Sequence, residues 1–118
     1  MHKALQKRLQ KQKKLISIAQ TYVDSLEQQL GPLSAILTGS VARGDFNLHS
    51  DIDVIIISAK LPSNPLERSK LLYSSALPLV EPKGFSPQEF AAFKSRKNPL
   101  VLDALRYGIP LGSGATLY

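Results

Sequence analysis

Asp51 and Asp53 stand one residue apart at the head of "DIDVIII" (51–57), a run of branched aliphatics that reads as a buried strand. Isolated charge costs several kcal/mol to bury unless it is paired or binds a metal. Side chains alternate along a strand, so the two carboxylates point to one face and Ile52 to the other. Side by side they repel and raise each other's pKa unless a cation lies between them. An oxygen-only pair in a chain without cysteine suits a hard ion, Mg²⁺ or Mn²⁺. Gly39 lies twelve positions before Asp51, followed by Ser40. Gly39 has no side chain to block a phosphate, and Ser40 offers a hydroxyl and a backbone N–H where a short helix can begin. A phosphate cradle beside a divalent-metal pair is the minimum equipment for phosphoryl or nucleotidyl transfer.

Each of these residues also has a plainer reading. Asp51 and Asp53 can be strand-end carboxylates that cap nearby N–H groups, and Ser40 can be a helix N-cap. Arg43 can contact phosphate, or it can pair with Asp45 or another acid to hold the turn. Gly44 serves backbone geometry, His49 is a solvent-exposed loop histidine, and Ser50 bonds the loop backbone. Tyr107, near a helix C-terminus, is expected to pack rather than to stack on a ligand.

The elements that must position these groups follow from periodicity and punctuation. Residues 3–30 read as one long helix with Leu15, Ala19, Tyr22, Leu26 and Leu30 at helical spacing, ended by Gly31-Pro32. "LSAIL" (33–37) reads as a strand, and Gly39-Ser40 as the turn leaving it. Asn64-Pro65, the capping box Ser86-Pro87-Gln88-Glu89, and Asn98-Pro99 each open a helix, the last closed by Gly108. "ALPLVEP" (76–82) reads as a third strand with proline at its end, as expected near a sheet edge. The order predicts an α/β or α+β domain, a small mixed sheet flanked by helices, as a single unit over residues 1–118.

The net charge of +6 is uneven. Lys3, Lys7, Arg8, Lys11, Lys13 and Lys14 precede any acid, and from Leu15 onward nine basic residues balance nine acidic ones. This basic arm can bind nucleic acid or steer a polyanion. With no aromatics interleaved in the first 21 residues, a solvated helix end is the favoured reading. The absence of cysteine excludes disulfides and thiolate metal sites. No apolar run approaches the roughly 20 residues of a membrane span, and no secretory h-region follows the basic start. A cytoplasmic location is the expectation.

Gly39-Ser40, ten intervening residues, then Asp51-Ile52-Asp53 resembles the signature of the nucleotidyltransferase superfamily with a DNA polymerase beta-like fold. The fuller Gly-Ser-Val-Ala-Arg-Gly-Asp string, with Ser50 before the acids, looks like the minimal nucleotidyltransferases (MNT). "EPKGFSPQEF" and "NPLVLDALRYGIPL" are similar to the tail of those proteins, so the likeness covers residues 33–112. It implies that Asp51 and Asp53 hold Mg²⁺ or Mn²⁺ bridging a nucleoside triphosphate, with ATP the expected substrate. It further implies that Gly39 and Ser40 contact the β- and γ-phosphates, with Arg43 and Ser50 beside them. A third carboxylate would hold the metal nearest the acceptor hydroxyl and help deprotonate it. Glu81 matches best, at the end of the third strand and five residues before Ser86, where many relatives have Asp. The implied reaction is attack of a macromolecular hydroxyl on the α-phosphorus with release of pyrophosphate. The implied partner is a HEPN-type toxin that supplies the acceptor, with this chain as antitoxin, since 118 residues leave no room for an acceptor domain. Self-association through an exposed sheet edge is a further expectation. The rival readings are an inactive module that masks its partner and a nucleic-acid binder using the basic arm.

Overall fold

The computed structural model describes residues 2–116 and 118, leaving Met1 and Leu117 outside. A 28-residue helix, α1 (Lys3–Leu30), is capped by His2 and stopped by Gly31 at φ 77°. Its Leu15, Ala19, Tyr22 and Leu26 are buried as the spacing predicts, with Val23 beside them, while Leu30 is only partly buried against the core. Strand β1 (Ser34–Thr38) runs into a single helical turn, α2 (Gly39–Arg43). Then come β2 (Ile52–Ile57), α3 (Pro65–Ser74), β3 (Val80–Phe85), α4 (Pro87–Ser95), α5 (Pro99–Tyr107) and a two-residue β4 (Ile109–Pro110). The three helix starts carry their expected caps. Asn64 accepts from Glu67 N, Ser86 and Glu89 form a reciprocal capping box, and Asn98 accepts from Leu100 N and Val101 N.

The sheet is mixed, in the order β3-β2-β1-β4. β1 is antiparallel to β2 and β4, while β2 is parallel to β3. β2 is covered on both faces, as its aliphatic run requires. Ile52, Val54 and Ile56 join a core with Leu15, Tyr22, Leu26 and Leu72, under α1 and α3. Ile55 and Ile57 join Ile36, Phe90, Val101 and Ala104, under α4 and α5. Tyr22, wholly buried, donates its hydroxyl to the Leu72 carbonyl at 2.8 Å, tying α1 to α3.

The third strand begins later than the sequence indicates. Pairing with β2 places it over Val80–Phe85 instead of 76–82, with Leu77 and Leu79 exposed in the turn before it. Pro82 therefore sits inside the strand instead of at its end. The carbonyls of Leu79 and Phe85 accept from Ile52 N and Ser58 N, so by alternation the Pro82 nitrogen faces the open edge, where no ladder bond is lost. Arg68 covers part of that edge, with Nη1 3.3 Å from Gly84 O and 2.7 Å from Glu89 Oε1.

β4 and the segment after it were not foreseen. The segment after β4 is pinned by Glu27, whose Oε2 accepts from Leu33 N at 3.1 Å, from Ser113 N at 3.2 Å and from the Ser113 hydroxyl. Partial burial pushes the Glu27 carboxyl up, and the three hydrogen bonds to its ionised form outweigh this, leaving it below the ordinary value of 4.5. A lowered folded-state pKa means the stabilisation is present above the unfolded value and is lost as pH falls through the folded one. Glu27→Gln is accordingly expected to lower stability by about 1 kcal/mol at neutral pH, after discounting for solvent screening. In urea unfolding the gap to the parent chain should close below the ordinary carboxylate range.

Candidate active site

The carboxylates gather at one end of the sheet. Asp51 ends the loop before β2 and is exposed; Asp53, the second residue of β2, is half-buried. In the parallel register Asp53 lies opposite Glu81, and across β1 it lies opposite Thr38. Glu81 is thus at the start of β3, beside the aspartates, where the sequence reading had it at the strand's end. Its side chain reaches Asp51, and that hydrogen bond, then repulsion from Asp51, burial and Asp53, push its pKa above 4.5, with Lys83 opposing. Burial is the main cause of the raised Asp53 pKa. The Asp51 and Asp103 charges add to it, while Lys83 and Arg43 pull it down. This is the electrostatics of a site short of positive charge.

Gly39 follows β1 at φ +76°, a conformation that L side chains rarely adopt. A Cβ there would lie 2.5 Å from Asp53 Oδ2, so the turn and the carboxylate touch only because residue 39 has no side chain. Ser40 comes next in α2, its carbonyl accepting from Gly44 N and Asp45 N. Ser50 bonds the loop backbone, with Oγ 2.8 Å from Asn47 N. His49 is exposed, and Tyr107 is exposed too, its ring under the Arg106 guanidinium. Packing does not claim Tyr107, because α5 turns Val101 and Ala104 inward.

Asp103, on α5, escaped the sequence reading. Its Oδ2 accepts from Thr38 Oγ1 at 3.0 Å and from Gly39 N at 3.3 Å, while Oδ1 takes Arg43 Nη1 at 3.0 Å. Arg43 also reaches Asp45, 3.2 Å from Nε. The guanidinium therefore holds the turn through two acids. The one available signal was compositional: Asp103 is the sole acid after Glu89, set among Leu100, Val101, Leu102 and Ala104. Lys83 was also missed, and only its register opposite Ile55, two residues along from Glu81, brings it near the carboxylates.

The donor set is chemically that of a hard divalent cation, all oxygen and anionic. Among the described residues, no three acidic, histidine or cysteine side chains form a ready cage. Mg²⁺ usually takes one or two carboxylates and shares the rest of its shell between substrate phosphates and water. Asp51 and Asp53 fit that role, with Glu81 within reach of Asp51.

Removing the Asp103 carboxylate strands the buried Thr38 hydroxyl and the Gly39 N–H. Asp103→Ala is expected to cost about 2 kcal/mol in urea unfolding. Asp103→Asn, which keeps an acceptor oxygen, should cost clearly less.

The crystal structure of a Sulfolobus solfataricus protein, described as "a putative nucleotidyltransferase", superposes with a TM-score of 0.63 at 17% identity, over 87% of this chain and 84% of that one. At that identity the likeness establishes the fold. A Methanocaldococcus jannaschii protein named "Putative protein adenylyltransferase" is 32% identical over 71 residues, 58% of this chain. This chain spans about half of that relative's length, 48%. Residues 19–98 match the nucleotidyltransferase domain family, a stretch that contains Gly39, Ser40, Asp51, Asp53 and Glu81. The chain belongs to the nucleotidyltransferase domain family.

Proposed function

We propose that this chain transfers a nucleoside monophosphate, AMP from ATP, to a hydroxyl of a protein, with Mg²⁺ bound at Asp51 and Asp53. The observation that carries this reading is the placement of Asp53 between Gly39 and Glu81, in contact distance of one and in register with the other. The M. jannaschii relative's name supports a protein acceptor and the adenylyl group. In this reading the acceptor protein is of HEPN type and the chain acts as its antitoxin, as the sequence resemblance implies.

The residues divide the work by position. Gly39 leaves room for a phosphate beside Asp53, and Ser40 offers its hydroxyl and N–H to the β- and γ-phosphates. Arg43, Asp45 and Asp103 keep that turn in place. Mg²⁺, when bound, neutralises triphosphate charge and stabilises the pyrophosphate that leaves. Glu81 takes the proton of the acceptor hydroxyl as its oxygen bonds to the α-phosphorus and the bond to pyrophosphate breaks. Lys83 lies near enough to temper the charge of Asp53 and Glu81.

A second reading draws on the third carboxylate, a glutamate at 81 where many relatives have Asp: an inactive module that masks its partner. Calorimetric titration separates the two. ATP is expected to bind only with Mg²⁺, and Asp51→Asn/Asp53→Asn should weaken it at least about tenfold, the scale of removing charge-paired contacts. Binding equal in parent and variant at millimolar ATP would instead favour the masking module.

Glu81→Gln is expected to leave Mg²⁺–ATP binding within a few-fold of the parent. Incorporation of label from α-labelled ATP into protein should fall by two orders of magnitude or more, on the order expected for losing a general base. Unchanged incorporation would remove Glu81 from the reaction.

A further inference from the structure

The first turns of α1 lie outside the family-matched residues 19–98 and carry the chain's excess charge. They are bound to the site's loop. Arg8 donates from Nε and Nη2 to Gly44 O at 3.0 and 2.8 Å, and from Nη2 to Phe46 O at 2.7 Å. Its guanidinium also lies 4.5 Å over the Phe46 ring. Gln12 Nε2 reaches Val41 O at 2.8 Å. Arg8 is therefore spent on structure. Lys3, Lys7, Lys11 and Lys14, spaced by four, four and three, share a helix flank about 17 Å long.

Lys7 and Lys11 line a cavity of about 400 Å³ with Arg8, Phe46, Asn47 and Leu48. Among the described residues the ion pairs involve Arg43 and Arg68, so both lysines are unpaired. Leu48, 86% exposed, stands at the cavity's rim three residues before Asp51. The Phe46 ring lies under Arg8 and is 6% exposed, so it offers no open face to a base. Grooves for single-stranded nucleic acid combine positive charge with aromatic faces free to stack, and here the aromatic face is taken.

We propose that this cavity docks an acidic, leucine-bearing segment of the protein acceptor. Carboxylates meet Lys7 and Lys11, and an apolar side chain packs against Leu48, at the loop that leads into Asp51. Charge complementarity sets the sign of the partner, and the exposed leucine above a covered ring sets its apolar component. The inference rests on the reading of a protein acceptor given above.

The test uses the full chain and a short fluorescein-labelled peptide of glutamates at helical i, i+4 spacing with leucines between them, followed by anisotropy. The peptide is expected to bind, and Lys7→Glu/Lys11→Glu to weaken it at least about tenfold. Leu48→Ser, or replacing the peptide's leucines by serine, should cost a comparable factor. Mg²⁺–ATP binding should be unchanged in both variants, which leave Gly39, Ser40, Asp51, Asp53 and Glu81 in place. Absence of peptide binding to the parent chain would overturn the proposal. So would equal binding of the leucine-free peptide, or displacement of the peptide by a single-stranded RNA that binds more tightly. Failure of the enzymatic reading shows separately, as loss of Mg²⁺–ATP binding by the parent chain while the peptide still binds.

Discussion

Asp53 stands on a strand whose other residues are all buried and apolar, and much of the structure answers to that one carboxylate. A charge there is costly in the folded chain, as its raised pKa records. The neighbours that touch it are arranged around the cost. Gly39 gives up its side chain to admit the carboxylate, and its N–H at the start of α2 draws support from outside the turn. Asp103 supplies that support from another helix and in turn requires Arg43 as counter-charge. The order of dependence runs from β2 to the turn, from the turn to α5, and from α5 back to α2.

The charge arrangement has a second side. Sheet register sets Glu81 opposite Asp53, Asp51 stands at the end of the loop before β2, and Lys83 is the near cation on the neighbouring strand. Like charges gathered at the open end of a covered strand are an arrangement that functional sites use.

The sequence made legible what depends on near neighbours. The α1 stripe, the Gly31 stop, the Asn64, Ser86 and Asn98 caps, and the spacing from Gly39-Ser40 to Asp51 and Asp53 are local patterns, and each reappears in the structure. What escaped is non-local. The start of β3 is chosen by pairing with β2, against the apolar pull of Leu77 and Leu79, so the position of Glu81 along its strand was misread while its place beside the aspartates was anticipated. Asp103 lies 64 residues from Gly39, and no periodicity connects them. β4 holds only two residues and is defined by contact with β1, too short to carry a pattern of its own.

The contact between Gly39 and Asp53 also has an evolutionary reading. Residue 39 answers to two demands: a backbone with positive φ and an empty space for a carboxylate oxygen. Asparagine can meet the first demand but not the second. A lineage that gave up Asp53 for a smaller residue would lift the second demand and leave the first, so drift at residue 39 is gated by what stands at residue 53. The two positions are free to change in one order only, the acid before the glycine.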